Sequence, residues 1–365
     1  MAGPGPLSGV RVVEFAGIGP PPHAVMLLSD IGAEVVRIDR PGAGPPTQDV
    51  TCRGRASLQL DLKSAADIET ALRLLEKADV LVEGFRPGVM ERLGLGPDTA
   101  CARNPRLIYG RMTGWGQDGP LAEVAGHDLG YIAVAGALDG IGPEGGPPSP
   151  PLNLVGDFGG GSLFLAMGIC AALFERERSG KGQVIDAAIV DGTASLMANA
   201  LWLRADRLTD PRRGKGLLAG AAPFYRCYCC ADRQWIAVAA IEPQFWRTLI
   251  EISGASQDLR GLQYDQARWA ETGERLAAMF AGRPSTEWLA LLEHTDACVT
   301  PVLDAHAAAE HPHLKARGTY VRAFDRFQPA PAPRFSRTPG SIQGPPPAGG
   351  EGGAEILAAW GVTPA

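Results

Sequence analysis

The sequence predicts an α/β fold, in which a parallel β-sheet covered by helices is followed by a smaller α+β domain. Over the first third of the chain, short β-branched apolar runs alternate with stretches of helical spacing. Strands of this kind are typical of a parallel sheet buried on both faces. After a polar, basic stretch at 205–220, the pattern changes to a strand pair and three helices. A chain of 365 residues also exceeds what one core usually organises.

The elements of the first part are predicted from apolar runs and their spacing. In the helix after the third strand, for example, Ile68, Ala71, Leu72 and Leu75 share one face. The predicted strands cover residues 10–15, 33–38, 57–62, 79–82, 107–112 and 183–186. The predicted helices cover residues 21–30, 65–77, 158–178 and 190–203, and a loop rich in Gly and Pro covers 139–151.

The second part begins with a predicted hairpin of strands 224–230 and 235–240, and its helices cover 244–253, 267–280 and 285–293. The cysteines at 227, 229 and 230 lack the spacing of a zinc site, so an alternating strand is the preferred interpretation and no metal is expected. All seven cysteines are expected to be reduced. A tail at 327–353 should wrap over a surface before a short helix at 355–360.

Composition excludes some classes of function. The net charge of −6 argues against a nucleic-acid-binding protein. No apolar run was judged long enough to span a membrane, and no secretion signal is apparent, so a cytoplasmic protein is expected.

A dinucleotide-binding motif is only partly present. Gly17-Ile18-Gly19 follows the first strand and Asp39 ends the second, which is the usual arrangement. However, Pro20-Pro21-Pro22 replaces the mobile loop that a pyrophosphate needs, so a nicotinamide cofactor is not favoured. Basic residues on nearby loops would still suit a polyanionic ligand such as a nucleotide phosphate. These residues are Arg37, Arg40, Arg53, Arg55, Lys63, Arg86 and Arg92.

Two short stretches carry the candidate chemistry. In the first, His127 and Asp128 stand side by side at the start of an apolar, helix-like run. In the second, Asp157 stands where an irregular segment becomes a long helix. A carboxylate there could simply cap the helix. The alternative is that His127 and Asp157 face one substrate and handle its protons.

Eight segments together resemble the α-methylacyl-CoA racemases of the class III CoA-transferase superfamily. They cover residues 35–41, 83–89, 126–128, 152–158, 179–187, 220–225, 240–245 and 296–302. The resemblance implies a Rossmann-like large domain (1–195 with 325–365), a small α+β domain (224–303) and linkers at 196–223 and 304–324. It also implies an interlocked, chain-link homodimer with each active site at the subunit interface, and an acyl-CoA thioester substrate with no separate cofactor.

The resemblance further implies roles for individual residues. Inverting the α-carbon of a thioester needs a base on one face and an acid on the other, and these map onto His127 and Asp157. Glu242 would orient His127, Asp128 would lie beside Asp157, and the backbone N–H of Asp157 is a candidate donor to the enolate oxygen. The implied CoA contacts are Arg40, Leu60, Asp61, Leu62, Lys63, Gly84, Phe85, Arg86, Arg92, Gly126, Leu129, Gly130 and Tyr131.

The chain departs from the family pattern at Gly130, where Asn is usual, and at 215–220, where a Met and an Asp are missing. Leu217 and Leu218 would then face the acyl chain or the base of its cavity, unless that segment points to solvent. Two other functions stay open: a CoA-transferase with Asp157 as nucleophile, and an inactive CoA-binding homologue. His127 favours the racemase, because the transferases generally lack it.

Overall fold

The computed structural model describes residues 5–205, 210 and 212–365. The chain divides into two compact units, each of which is described here by itself. The first consists of Met1–Ala135, Pro151–Leu196 and His313–Ala365, and the second of Gly136–Pro150 and Met197–Pro312. The linkers predicted at 196–223 and 304–324 stay a prediction. Residues 206–209 and 211, which fall within the first linker, lie outside the described residues.

The first unit is built on a six-stranded parallel sheet with the order β3-β2-β1-β4-β5-β6. Its strands are β1 (Arg11–Phe15), β2 (Glu34–Asp39), β3 (Ala56–Gln59), β4 (Val80–Glu83), β5 (Ile108–Thr113) and β6 (Gln183–Ala188). At its centre, Val12 pairs with Val35 on one side and with Val80 on the other, and all three are buried. The predicted α/β class is confirmed, because the β-branched runs form strands that are buried on both faces.

Helices cover both faces of this sheet. In chain order the helices of the described residues are α1 (Pro20–Asp30), α2 (Ala65–Leu75), α3 (Val89–Arg92), α4 (Pro97–Arg103), α5 (Asp128–Val134), α6 (Leu163–Ser179), α7 (Ile189–Leu196), α8 (Ala198–Ala205), α9 (Pro243–Ser253), α10 (Trp269–Phe280), α11 (Ser285–Leu292), α12 (Ala305–Glu310), α13 (Pro312–Arg317) and α14 (Gly353–Trp360). The predicted helix 190–203 is in fact two, α7 and α8. On one face of the sheet Val13 and Phe15 pack with α2 and α14, and on the other Val12 packs with α1 and α6.

The long apolar segment Leu154–Ser179 corrects one expectation. Its 26 residues are long and apolar enough to cross a membrane by length and composition, although no run was judged to reach that length. Leu165 and Ile169 are nevertheless buried against the sheet. The core helix of a soluble protein meets the same criteria, so length and composition alone do not argue for a membrane span.

The C-terminal part of the first unit runs along its surface. It begins with a hairpin, β10 (Tyr320–Ala323) and β11 (Arg326–Pro329), that the sequence did not predict. Beyond it, Ser341 N–H donates to the carbonyl of Asp30, and the carbonyl of Gly344 accepts from Gly54 N–H. The predicted wrapping tail is therefore fixed to the end of α1 and to the start of β3.

The second unit has an antiparallel sheet of β7 (Tyr225–Cys229), β8 (Trp235–Ala239) and β9 (Val299–Pro301). The first two strands form the predicted hairpin, whereas β9 is too short for a pattern to reveal it. Cys227 is exposed and Tyr228 is buried, as expected of an alternating strand. Large aromatic side chains fill the core of this unit: Phe224, Trp246, Trp269, Phe280 and Trp288.

Candidate active site

A cleft of about 380 Å³ opens beyond the carboxyl ends of β1, β4 and β5. The chain leaves β1 towards β2 on one side, while β4 lies on the other, so the order of the strands reverses at this point. Parallel sheets of this kind bind their ligands at such a reversal. The lining residues include Gly19, Pro20, Pro21, Gly84, Phe85, Arg86, Met112, Trp115, Gly126, His127, Tyr131 and Asp157.

Seven of the residues predicted for the site therefore meet in one cleft: Gly84, Phe85, Arg86, Gly126, His127, Tyr131 and Asp157. Its lining does not include Arg40, Leu60, Asp61, Leu62, Lys63, Arg92, Asp128, Leu129 or Gly130. Of this second group, Leu60 belongs to the buried core under α2 and α14, whereas Arg40, Lys63 and Arg92 are exposed. The candidate acid–base pair and the loop after β4 thus come together, while the other implied CoA contacts lie beyond the cleft.

Asp157 does not cap a helix. It lies within a π-helical stretch, Leu154–Ser162, that continues directly into α6. The wide turn is evident where Phe158 N–H donates to the carbonyl of Asn153, 3.2 Å away and five residues earlier. Glycines allow this stretch to pack closely on α7, since a Cβ at Gly192 would lie 1.8 Å from the carbonyl oxygen of Gly160. Insertions of π-helix into α-helices are frequent at functional sites.

Asp128 connects the two candidate catalytic residues. Its Oδ1 accepts a hydrogen bond of 2.7 Å from the backbone N–H of Asp157. Asp128 is also the first residue of α5, directly after His127 at the N-cap position. In this structure that N–H is bonded to Asp128, and the expectation that it would donate to an enolate oxygen stays a prediction.

The surroundings of Asp157 make it a weak acid. Burial raises the pKa of its carboxyl to about 6, and the negative charge of Asp128 acts in the same direction. A hydrogen bond from Asn153 and the nearby His127 oppose this shift. Burial, followed by the charge of Asp157, also raises the pKa of the Tyr131 phenol, which Arg86 counteracts. A carboxyl of this kind can both hold and release a proton near neutral pH.

The start of α1 forms the wall next to Asp157. Gly19 has a φ of 71°, and a Cβ there would lie 3.4 Å from Asp157 Oδ2. Pro20, Pro21 and Pro22 then open the helix without a single backbone N–H. In the sequence this segment resembles only an incomplete dinucleotide motif. Its position after the first strand of a parallel sheet was the signal that it lines a site.

Residues 113–126 form another wall of the cleft, and the sequence did not predict it. The ring of Tyr131 lies edge-on to Trp115, with their centroids 4.8 Å apart. Cβ atoms at Gly114 and Gly126 would lie 2.0 and 2.6 Å from Tyr131. Only glycine fits at these two positions, and the close packing fixes the backbone that leads into His127. Here too the signal was the position after a strand, β5.

Three of the arginines that could have bound a polyanionic ligand instead form ion pairs inside the protein. Arg37 pairs with Asp39 and Glu14, Arg53 with Asp30, and Arg55 with Glu14, and all of these side chains are buried. Asp39 also accepts from Ser57 Oγ, so its carboxylate is occupied within the protein. Charges paired inside the core are not available to a phosphate. Arg86 is the predicted cation that does line the cleft.

Glu242 belongs to the second unit, where it is exposed and precedes α9. Its role in orienting His127 stays a prediction. Leu217 packs partly on the core of the same unit, and Leu218 is 46% exposed. Among residues 5–205, 210 and 212–365, no group of three or more His, Cys, Asp or Glu side chains is placed to hold a metal ion.

The fold and the cleft define an α/β protein of Rossmann-like topology with acid–base groups at its ligand edge. The chain belongs to CoA-transferase family III, whose model matches residues 7–352. The resemblance inferred from the motifs is thereby confirmed at the level of the family.

The chain is also similar to individual members of this family. It is 45% identical over 358 residues to the alpha-methylacyl-CoA racemase of Mus musculus, covering 97% of this chain and 93% of that protein. The Homo sapiens alpha-methylacyl-CoA racemase is likewise 45% identical, over 336 residues, covering 91% of this chain and 87% of that protein. Among solved structures, a CAIB/BAIF family protein from Brucella suis is 27% identical with a TM-score of 0.83, covering 98% of this chain and 100% of that one.

Proposed function

We propose that this protein acts as an α-methylacyl-CoA racemase, which interconverts the (R) and (S) forms of a 2-methylacyl-CoA thioester. The observation that carries the proposal is that His127 and Asp157 line one cleft, in which burial raises the pKa of Asp157 to about 6. The identity of 45% to proteins named for this activity supports it.

In the proposed reaction, one residue of the pair removes the α-proton and its C–H electrons move into the thioester to form an enolate. The other residue then protonates the opposite face of the α-carbon. Either residue can begin, because an imidazole can accept or donate a proton and the carboxyl of Asp157 is a weak acid. Asp128 fixes the backbone of Asp157, and the role of Glu242 in orienting His127 stays a prediction.

The proposed substrate is held mainly through its CoA part. Arg86 lines the cleft next to the reacting groups and suits a phosphate or an amide carbonyl of CoA. Arg40, Lys63 and Arg92 are exposed and would contact the distal nucleotide. Asp61, Leu62, Leu129 and Gly130 stay candidate CoA contacts, whereas the side chain of Leu60 is buried in the core. CoA belongs to the substrate, so the proposal requires no further cofactor.

We also propose a homodimer. On α6, Leu163, Met167 and Phe174 are 52%, 60% and 68% exposed, which leaves an apolar surface on a helix whose other side is in the core. A second copy of the chain would cover it, because surfaces of this kind commonly mark subunit interfaces. The interlocked arrangement, with an active site at each interface, remains part of this proposal, as does the cytoplasmic location.

Incubation with one epimer of a 2-methylacyl-CoA in deuterated water tests the function. A racemase incorporates deuterium at the α-carbon and forms the other epimer without any acceptor acid. A CoA-transferase with Asp157 as nucleophile would act only when an acceptor acid is added, and an inactive homologue would do neither. Absence of deuterium exchange at the α-carbon (α-exchange) under conditions where CoA binds would overturn the proposal.

A further inference from the structure

A fully buried carboxylate lies directly beneath the cleft. Glu83 is the last residue of β4, has no exposed surface, and precedes the cleft-lining residues 84–87. Its Oε2 accepts a hydrogen bond of 2.7 Å from Phe85 N–H, and its Oε1 accepts one of 3.0 Å from Arg111 Nε. One side chain therefore holds the backbone of the loop on one oxygen and a guanidinium on the other.

Arg111 extends this contact to a third element. It lies on β5 with only 7% of its surface exposed, and its NH1 and NH2 groups donate to the two carboxylate oxygens of Glu91 on α3, at 2.8 and 3.3 Å. The guanidinium also lies 5.8 Å from the ring centre of Tyr109. Since β4 ends before residues 84–87 and α3 begins soon after them, Arg111 is bonded to both sides of the loop.

The loop itself has little room to move as a rigid piece. A Cβ at Gly84 would lie 2.6 Å from Pro21 Cγ, which packs against it from the start of α1. A network with charge on every member is costly to break, because removing one partner leaves a buried charge unpaired. The loop that carries Phe85 and Arg86 to the cleft is thus held by a hydrogen bond and ion pairs to residues that do not themselves line the cleft.

We propose that Glu83, Arg111 and Glu91 are positioning residues that hold residues 84–87 in the shape that binds the CoA part of the substrate. This inference rests on the proposed acyl-CoA function. A loop already held in its bound shape loses less conformational freedom when the ligand binds. The network acts on binding and not on the proton transfers, because His127 and Asp157 lie on other elements.

The same strand offers a matched control at its opposite end. Asp79, just before β4, accepts from Arg11 N–H and from Arg176 NH2, each at 2.9 Å. Arg176 is buried to the same degree as Arg111. Both pairs join β4 to neighbouring elements, but only the Glu83–Arg111 pair lies at the carboxyl end, where this fold binds ligands.

The experiment compares Arg111→Lys with Arg176→Lys. Lysine keeps the charge but lacks the planar fork of donors with which Arg111 bonds Glu83 and Glu91 and Arg176 bonds Asp79 and a backbone carbonyl, so both variants should lose comparable thermal stability. Arg111→Lys should raise the Kd for coenzyme A, measured by calorimetry, about tenfold while kcat changes by less than about threefold, the pattern of lost uniform binding. Arg176→Lys should leave the Kd for coenzyme A and the KM unchanged.

Equal values of Kd in the Arg111→Lys variant and the wild type would overturn the inference, as would an equal rise in Arg176→Lys. If Arg111→Lys does not fold, Glu91→Gln takes its place with the same criterion, because Glu91 is partly exposed and its loss is milder. Binding of coenzyme A is measured without turnover. Failure of wild-type α-exchange would therefore count against the proposed function, whereas an unchanged Kd counts against the network.

Discussion

Asp157 makes two separate contributions to the site, one through its backbone and one through its side chain. Its backbone N–H donates to Asp128, while its half-buried side chain lines the cleft. Burial and the charge of Asp128 hold its proton more tightly than in water. The sequence places this residue where an irregular segment becomes a helix, whereas in the structure it lies within a π-helical stretch. The acidity depends on contacts distant in the sequence, which no local pattern contains.

Removal of either member of the pair should abolish most of the activity. His127→Ala and Asp157→Asn should each lower α-deuterium exchange by about two to four orders of magnitude, the usual contribution of a positioned acid or base. Asparagine matches aspartate in shape, so circular dichroism should be unchanged. Near-normal exchange in either variant would contradict the assignment.

Asp157 should also reduce stability at neutral pH. Folding raises the pKa of this carboxyl from 3.8 to about 6, so between these values the folded protein binds more protons than the unfolded chain. Stability therefore falls as pH rises through this window, and the loss is complete above it.

Asp157→Asn removes this titration. We expect a higher free energy of unfolding than in the wild type at about pH 7.5, and no such difference below about pH 4, measured in urea. A difference that does not change with pH would show that packing and not ionisation is responsible.

At the scale of elements, the strands were predictable and the π-helical stretch was not. Runs such as Val12–Val13 and Val35–Val36 form strands because β-branched side chains fill a sheet buried on both faces. By contrast, Gly156 and residues 159–161 resemble a loop in the sequence. In the structure they are helical, and α5 packs against Gly156 and α7 against Gly160 at distances that no side chain would allow.

The contact between the π-helical stretch and α7 predicts the effect of one methyl group. Gly192→Ala would place a Cβ 1.8 Å from the carbonyl oxygen of Gly160, so the two helices must separate. The expected cost is about 1–3 kcal/mol or more in the free energy of unfolding, with loss of α-exchange as Asp157 moves.

Gly344→Ala is the control for this variant, because nothing lies within 4 Å of its Cβ position. It should leave the free energy of unfolding and the α-exchange unchanged. Normal stability of Gly192→Ala would mean that the two helices pack less closely than described.

At the scale of the whole molecule, the sequence does not reveal which arginines are buried in ion pairs and which remain exposed. Arg53 and Arg86 look alike in the sequence, since both lie on loops next to predicted strands. Arg53 is 1% exposed and bonded to Asp30 and Gln328, whereas Arg86 is exposed in the cleft. Which arginine finds an internal carboxylate depends on residues that are distant along the chain.

The arginines that remain on the surface should differ in their effect on binding. Arg86→Ala should raise the KM for the thioester about tenfold with a smaller change in kcat, as expected for a lost charged hydrogen bond. Arg40→Ala and Arg92→Ala should have smaller effects, because neither residue lines the cleft. All three effects should shrink at high salt. If all three variants matched the wild type, the basic cluster would be only a solvated surface.

Association of two chains should depend on the apolar side of α6. Met167→Asp places a charge on a side chain that is 60% exposed and should convert dimers to monomers in sedimentation equilibrium. Thr99→Asp, on the exposed part of α4, should not. A monomeric wild type would refute the dimer, and an unaffected Met167→Asp dimer would move the interface elsewhere.

The three prolines at the start of α1 have a consequence for what this fold can hold. Related topologies lay a cofactor's pyrophosphate on the amide hydrogens of the helix after the first strand. Here that helix offers none, and the neighbouring group is the carboxyl of Asp157. Pro21→Gly would therefore not recreate a nicotinamide site, because the cofactor's phosphate and the carboxylate of Asp157 would repel each other. With the proposed acyl-CoA substrate, we therefore expect the nucleotide to be bound away from this end of α1.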